Sequence, residues 1–226
     1  MTSTVLYSFL FWLSSISLSP LMDTASSPVS SPLSGPGIHS LKADHPNARI
    51  VMDQRTEVPR IISGISVPTR GDTPRAQAED FLARFGDITG AAAFRYSGES
   101  KSRNGVTVRF EQLHQGDPVL DRNLVIQVDG DGRVRSVVSD LSPIQSSTPG
   151  NMVFEAARRL ALETVGVSNL ETRTSRGWSV LGMHGTPIIE VEFSRLPLAD
   201  HLVVRIDAHE GQVLSISNRV LHEGGH

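Results

Sequence analysis

Between residues 106 and 128 apolar positions recur with a period of two. Val106, Val108 and Phe110 alternate with Thr107, Arg109 and Glu111, and Leu124, Ile126 and Val128 alternate with Val125, Gln127 and Asp129. That period predicts two strands, each with one buried face. Gly116-Asp117-Pro118 and Asp129-Gly130-Asp131-Gly132 read as turns, the second as a hairpin turn because glycine supplies positive φ freely. Elsewhere the period lengthens to that of a helix. Ala78, Phe81, Leu82 and Phe85 predict one helix, capped by Asp72 or Thr73, opened by Pro74 and ended by Gly86. Val153, Ala157, Leu160 and Ala161 predict a second from about Met152 to Thr164, with Asn151 as N-cap and Gly166 as terminator. Ile50 to Val67, interrupted by Pro59 and Gly64, predicts one or two short strands.

The chain also resembles itself. LVIQVDGDGRVRSVVS near residue 130 and LVVRIDAHEGQVLSIS near residue 210 share apolar alternation, an Asp, a Gly and a Val-x-Ser return. A helix followed by antiparallel strands, twice over, predicts an α+β fold of two units, each with a helix covering one face of its sheet. Upstream, Val5 to Leu18 is an apolar run of signal-peptide length, too short to span a bilayer comfortably. Residues 1–26 therefore read as a signal peptide, although Met1 to Thr4 carries no Lys or Arg, and Thr24-Ala25-Ser26 is the nearest small-residue cleavage site. Residues 27–43, rich in Ser and Pro, read as a linker.

Composition narrows the function classes. With 226 residues and 38% hydrophobic content the chain can bury a core. A net charge of -3 supplies no basic field for nucleic acid or an anionic membrane. The absence of cysteine excludes disulfides, thiolate metal sites and cysteine catalysis.

Candidate chemistry is sparse. His222-Glu223-Gly224-Gly225-His226 satisfies H-E-x-x-H, but zinc chemistry needs a helix that puts both histidines on one face and a third ligand from elsewhere. Two glycines and a terminal position oppose that helix, so the match reads as fortuitous and the chain as no enzyme. Asp129-Gly130-Asp131-Gly132 lacks the ligands that would complete a calcium loop and stays a turn. His39, His45, His114, His184, His201 and His209 show no paired metal spacing, and no G-x-S-x-G elbow occurs. Arg109 and Gln112 read as a solvated strand face, with Arg109 pairing a cross-strand carboxylate. Trp178 and Phe193 read as sheet-packing core. No catalytic residue, metal ligand or cofactor is implied.

The segment VRFEQLHQGDPVLDRNLVIQVDGDGRVRSVVSDLSP, residues 108–143, resembles the FTP domain of the propeptides of fungalysin and thermolysin-like zinc metallopeptidases. The shared features are an RFxQ strand, a G-x-P-V turn and strand, a D-x-x-G-x-V hairpin and a closing L-S-P. Departures fall at His114, where the family usually has an aromatic such as Tyr, and at Leu120-Asp121-Arg122, where glycines are common. Asn151 to Arg219 resembles the PepSY domain that follows FTP in those propeptides. Its carriers are MVFEAARRLALE, the strands around Gly177-Trp178 and Ile188 to Phe193, and VVRIDAHEGQVLSISNRV.

The resemblance implies an FTP-like domain at 44–145 and a PepSY-like domain, a cystatin-like helix on a curved sheet, at 150–222. It implies a secreted or periplasmic inhibitor and folding chaperone of a thermolysin-like zinc metallopeptidase, acting in trans or as a truncated precursor remnant, with no nucleic acid and no membrane as partner after export. The end of such a propeptide leads toward the peptidase cleft, which places Ser217, Asn218, Arg219, Val220, Leu221 and His222 at the partner. A secreted binding or scaffold module without a peptidase partner is the other reading of the same sequence.

Overall fold

The structure, a computed structural model, describes residues 36–90, 93–168, 170–196 and 199–218. The fold is mixed α/β and mostly sheet. Helix α1 (Pro36–Asp44) leads into β1 (Arg49–Met52), β2 (Pro59–Ser63), β3 (Val67–Pro68) and helix α2 (Pro74–Phe85). Four long strands follow: β4 (Ala93–Ser102), β5 (Gly105–His114), β6 (Asp117–Val128) and β7 (Arg133–Ser139). After the short β8 (Ser146–Ser147) come helix α3 (Phe154–Val165), β9 (Thr172–Leu181), β10 (His184–Leu196), β11 (Ala199–Asp207) and β12 (Val213–Asn218).

Two apolar clusters form, each with a helix on a sheet. In the first, Ala78 and Phe81 of α2 are buried with Val108 and Phe110 of β5, Leu124, Ile126 and Val128 of β6, and Val134 and Val137 of β7; Leu82 and Phe85 pack at its margin. In the second, Ala157 and Ala161 of α3 lie with Ile189, Val191 and Phe193 of β10 and Val204 and Ile206 of β11. The α2 stripe follows the predicted periodicity, and the α3 stripe does so at Ala157, Leu160 and Ala161 but not at Val153, which precedes the helix and is 62% exposed. The sheets are not separate, however: one path runs β1-β2-β7-β6-β9-β10-β11-β12, with β4 and β5 laddered onto β6. The join is narrow. β6 meets β9 in parallel at a single pair, Val119 with Trp178.

That join depends on small residues. A Cβ on Gly177 would lie 3.1 Å from the Pro118 carbonyl oxygen, and one on Gly185 would lie 3.0 Å from Ile144 and 3.3 Å from the Trp178 ring. The bare glycine backbone lets β6 and the 140s segment reach β9 and β10. Trp178 is buried there, as expected for a packing residue, and Phe193 is fully enclosed in the second cluster.

The internal resemblance has a physical basis at the two Asp turns. Asp129 Oδ1 accepts from the amides of Asp131 and Arg133, both at 3.0 Å, and Asp207 Oδ1 accepts from those of His209 (2.7 Å) and Glu210 (2.9 Å). A glycine in the left-handed region closes each turn, Gly132 at φ 72° and Gly211 at φ 70°. Each hairpin also shifts register just before its Asp, at Gln127/Val128 and at Arg205/Ile206.

Local capping agrees with the sequence at α2 and departs from it at α3. Thr73 caps α2 by accepting from Ala76 N–H at 3.2 Å, with Pro74 in the first turn. Thr73→Ala is expected to cost about 1 kcal/mol in urea denaturation. Asn151, expected as the N-cap of α3, is not the cap. Its amide and that of Met152 both donate to the Ala208 carbonyl, at 3.1 and 3.0 Å, which holds this stretch extended against the Asp207 turn. The helix starts later, with Val153 at the N-cap and no side-chain cap bond, and it ends at Gly166 in the left-handed region. The linker expected over 27–43 is also corrected from residue 36 on. Pro36 opens α1, and Leu41 and Ile38 bring that helix onto the first cluster. Most of the Ser and Pro content that suggested a linker belongs to the residues before it, with only Pro36 and Ser40 inside α1.

Candidate partner-binding edge

Five strands of the described sheet are paired on one side only: the two-residue β3 and β8, too short to template another chain, and β1, β4 and β12. An open edge offers unpaired N–H and C=O groups to any extended chain, and folded proteins blunt it with short length, bulges or charge. β1 is four residues long and carries Arg49. β4 has a register shift between Tyr96 and Gly98 and carries Arg95, Glu99 and Lys101. β12 is VLSISN, with no charged residue and no proline. Its one irregularity, opposite Arg205/Ile206, lies at its start, so Ser215 to Asn218 pair regularly with Leu202 to Arg205. Leu214 and Ile216 are 50% and 51% exposed. This strand therefore presents both free main chain and apolar side chains.

Beside β12 lies a cleft of about 210 Å³ between the β6 strap and the second sheet, lined by Leu120, Asp121, Ser179, Arg205, Leu214 and Ser215. Arg205 spans its floor, donating through Nε to Glu190 at 2.9 Å and through Nη1 to Asp121 at 3.3 Å. Asp121 sits at φ 58°, the left-handed region where an ordinary side chain is uncommon. This is the stretch in which the resembled family often carries glycine, and the backbone geometry gives the reason.

Of the six residues expected at a partner, Ser217 and Asn218 stand exposed at the end of β12. Arg219, Val220, Leu221 and His222 lie outside the described residues, as do the His222-Glu223-Gly224-Gly225-His226 match and the expected signal peptide. Among the described residues no group of three or more His, Cys, Asp or Glu side chains is gathered as for a metal ion. No helix among them is long and apolar enough to cross a membrane.

Gln112 corrects the sequence reading of a solvated face. It is only 3% exposed, and its amide grips the main chain of Ser142: Nε2 donates to the Ser142 carbonyl at 2.7 Å, and Ser142 N–H donates to Oε1 at 3.0 Å. The side chain thus imitates one rung of a β-ladder, tying the Leu141-Ser142-Pro143 segment to β5. Arg109 is exposed, and its neighbour Glu111 pairs with Arg95 at 2.7 Å instead.

Residues 92–141, which hold β4 to β7 and the Leu141 of the closing segment, match the family model described as Fungalysin/Thermolysin Propeptide Motif. The matched family is one of non-catalytic propeptide segments rather than of catalytic domains, and such propeptides accompany secreted peptidases. No curated protein matches the chain. Among solved structures, the Bacillus megaterium YpeB C-terminal domain is similar at 12% identity and a TM-score of 0.40, over 76% of this chain and 81% of that one.

Proposed function

We propose that the chain is a propeptide-like inhibitor and folding chaperone of a secreted thermolysin-like metallopeptidase. In this reading an FTP-like domain at 44–145 carries a PepSY-like domain at 150–222, and β12 with the residues after it engages the enzyme. The family match over 92–141 supports a peptidase as the partner. The observation that carries the mode of binding is the β12 edge, open, regular and uncharged where β1 and β4 are blunted and β3 and β8 are two residues long. An edge of this kind recruits a partner by adding a strand, with main-chain bonds giving affinity and alternate side chains giving selectivity. Ser217 and Asn218 then direct Arg219, Val220, Leu221 and His222 toward the enzyme's cleft. Neither inhibition nor templated folding requires a catalytic group in this chain.

The purified chain, titrated into a thermolysin-like metallopeptidase hydrolysing a peptide substrate, is expected to inhibit in a dose-dependent way and to be silent alone. Lysines at both exposed apolar positions, Leu214→Lys with Ile216→Lys, are expected to weaken inhibition about tenfold or more, since gatekeeper charges oppose edge pairing. Deleting residues 221–226 is expected to weaken inhibition while leaving the thermal transition in place. Full potency in both folded variants would sink the β12 assignment; no inhibition by the parent chain would sink the partner.

A further inference from the structure

Polar atoms sealed without a partner gather where β6 meets β9. His114, the last residue of β5, packs edge to face on Trp178, with ring centroids 4.7 Å apart at an interplanar angle of 88°. His114 Nε2 and Trp178 Nε1 are both buried without a hydrogen-bond partner. Trp178 is also the β9 half of the single pair that joins the two sheet segments, and its β6 partner Val119 is 2% exposed. A packing contact with two unsatisfied buried nitrogens thus sits on the single strand pair between the two sheet segments.

We propose that this junction is an acid-opened clasp: protonation of His114 ends its packing on Trp178 and releases the Val119–Trp178 pair, while each half keeps its own apolar cluster. A neutral imidazole tolerates a sealed Nε2 because one of its nitrogens carries no proton. An imidazolium carries N–H on both, and a buried, charged donor with no acceptor must find water. The His114 ring is half-buried, but its Nε2 faces the Trp178 contact and is sealed there, so water reaches that atom when the ring leaves Trp178.

The surrounding charges do not relieve this. Asp117 faces His114 across the β5–β6 turn, and Arg176 lies two residues before Trp178 on β9. β8 contributes only the hydroxyls of Ser146 and Ser147. On β10, His184 already has both ring nitrogens engaged, with Ser146 Oγ at 3.0 Å and Thr148 Oγ1 at 3.1 Å. No ion pair forms with His114 among the described residues. Burial accordingly holds its pKa below the ordinary value. A depressed histidine contributes its full stabilisation above the unfolded value of about 6.5 and loses it as pH falls from there through the folded value, so acid opens the junction.

Hydrogen exchange of the full chain, corrected for the intrinsic effect of pH, tests this. On going from about pH 7.5 to about pH 5, amides of 117–122 and 176–180 are expected to exchange tenfold or more faster, while those of 124–128 and 203–206 keep their protection. His114→Phe keeps an aromatic edge against Trp178 and cannot be protonated, so its junction is expected to stay closed at both pH values. His184→Gln is expected to open like the parent. An unchanged junction in the parent at acid pH overturns the proposal, as does equal opening in His114→Phe. Should that variant fail to fold, an NMR titration of the parent decides: a His114 imidazole titrating at or above the ordinary value overturns it too.

Discussion

Gly105→Ala is expected to be the most destabilising single methyl that can be added to this fold. Gly105 opens β5 at φ 127°, a conformation nearly closed to residues with a side chain. A Cβ there would also overlap the carbonyl oxygen of Val128 and come within 2.8 Å of Asp129 Cα, both backbone atoms that cannot rotate aside. Disallowed backbone geometry and overpacking each cost about 1–3 kcal/mol, so a loss of about 3–5 kcal/mol is expected in urea or thermal denaturation. Gly116→Ala is the natural control. Its φ is 88°, yet nothing lies within 4 Å of the added carbon. The control should therefore show only the conformational part, about 1 kcal/mol or somewhat more. Equal losses in the two variants would mean that the contact between the β4–β5 hairpin and the Asp129 turn is not tight.

Gln112→Leu is expected to cost about 2–4 kcal/mol, although it exchanges a polar residue for an apolar one of similar size in a buried site. The loss comes from residue 142, whose N–H and C=O would both remain buried and unpaired, at about 1–3 kcal/mol for each unsatisfied group. The two bonds use only main-chain atoms of Ser142. Ser142→Ala therefore leaves them intact and is expected to change stability by less than about 1 kcal/mol. A Gln112→Leu variant as stable as its parent would show that the 141–143 segment is held by Leu141 packing alone.

What the sequence revealed and what it withheld divide along the range of the interactions involved. The α2 cap, the Asp129 turn and the apolar faces of β5, β6 and α3 rest on neighbours within a few residues, and the pattern of types displays them directly. Gln112 was legible in principle: the alternation that buries Val108 and Phe110 and half-buries Val106 assigns it to the same face, and only its polarity argued otherwise. Its partner, thirty residues on, is what makes that burial tolerable. The cap of α3 misled for a similar reason, since Asn151 gives its amide to Ala208, a residue that local reasoning does not consult. The Val119–Trp178 join and the Gly177 and Gly185 approaches involve residues distant in sequence, and no periodicity announces them. The openness of β12 belongs to sheet order, a global property; the sequence contributes only the lack of charge that makes the edge usable.

The single strand pair between the two sheet segments also gives the fold a direction in time. Every buried member of the first cluster lies between Leu41 and Leu141. During synthesis from the N-terminus, that core can close before α3 and its sheet have left the ribosome. The exposed start of β6 then waits as a ready-made margin for β9. Antiparallel additions of β10, β11 and β12 follow in chain order, each onto the strand just completed. The open edge of β12 is thus the last to form among the described strands, and it exists only after everything that supports it has folded.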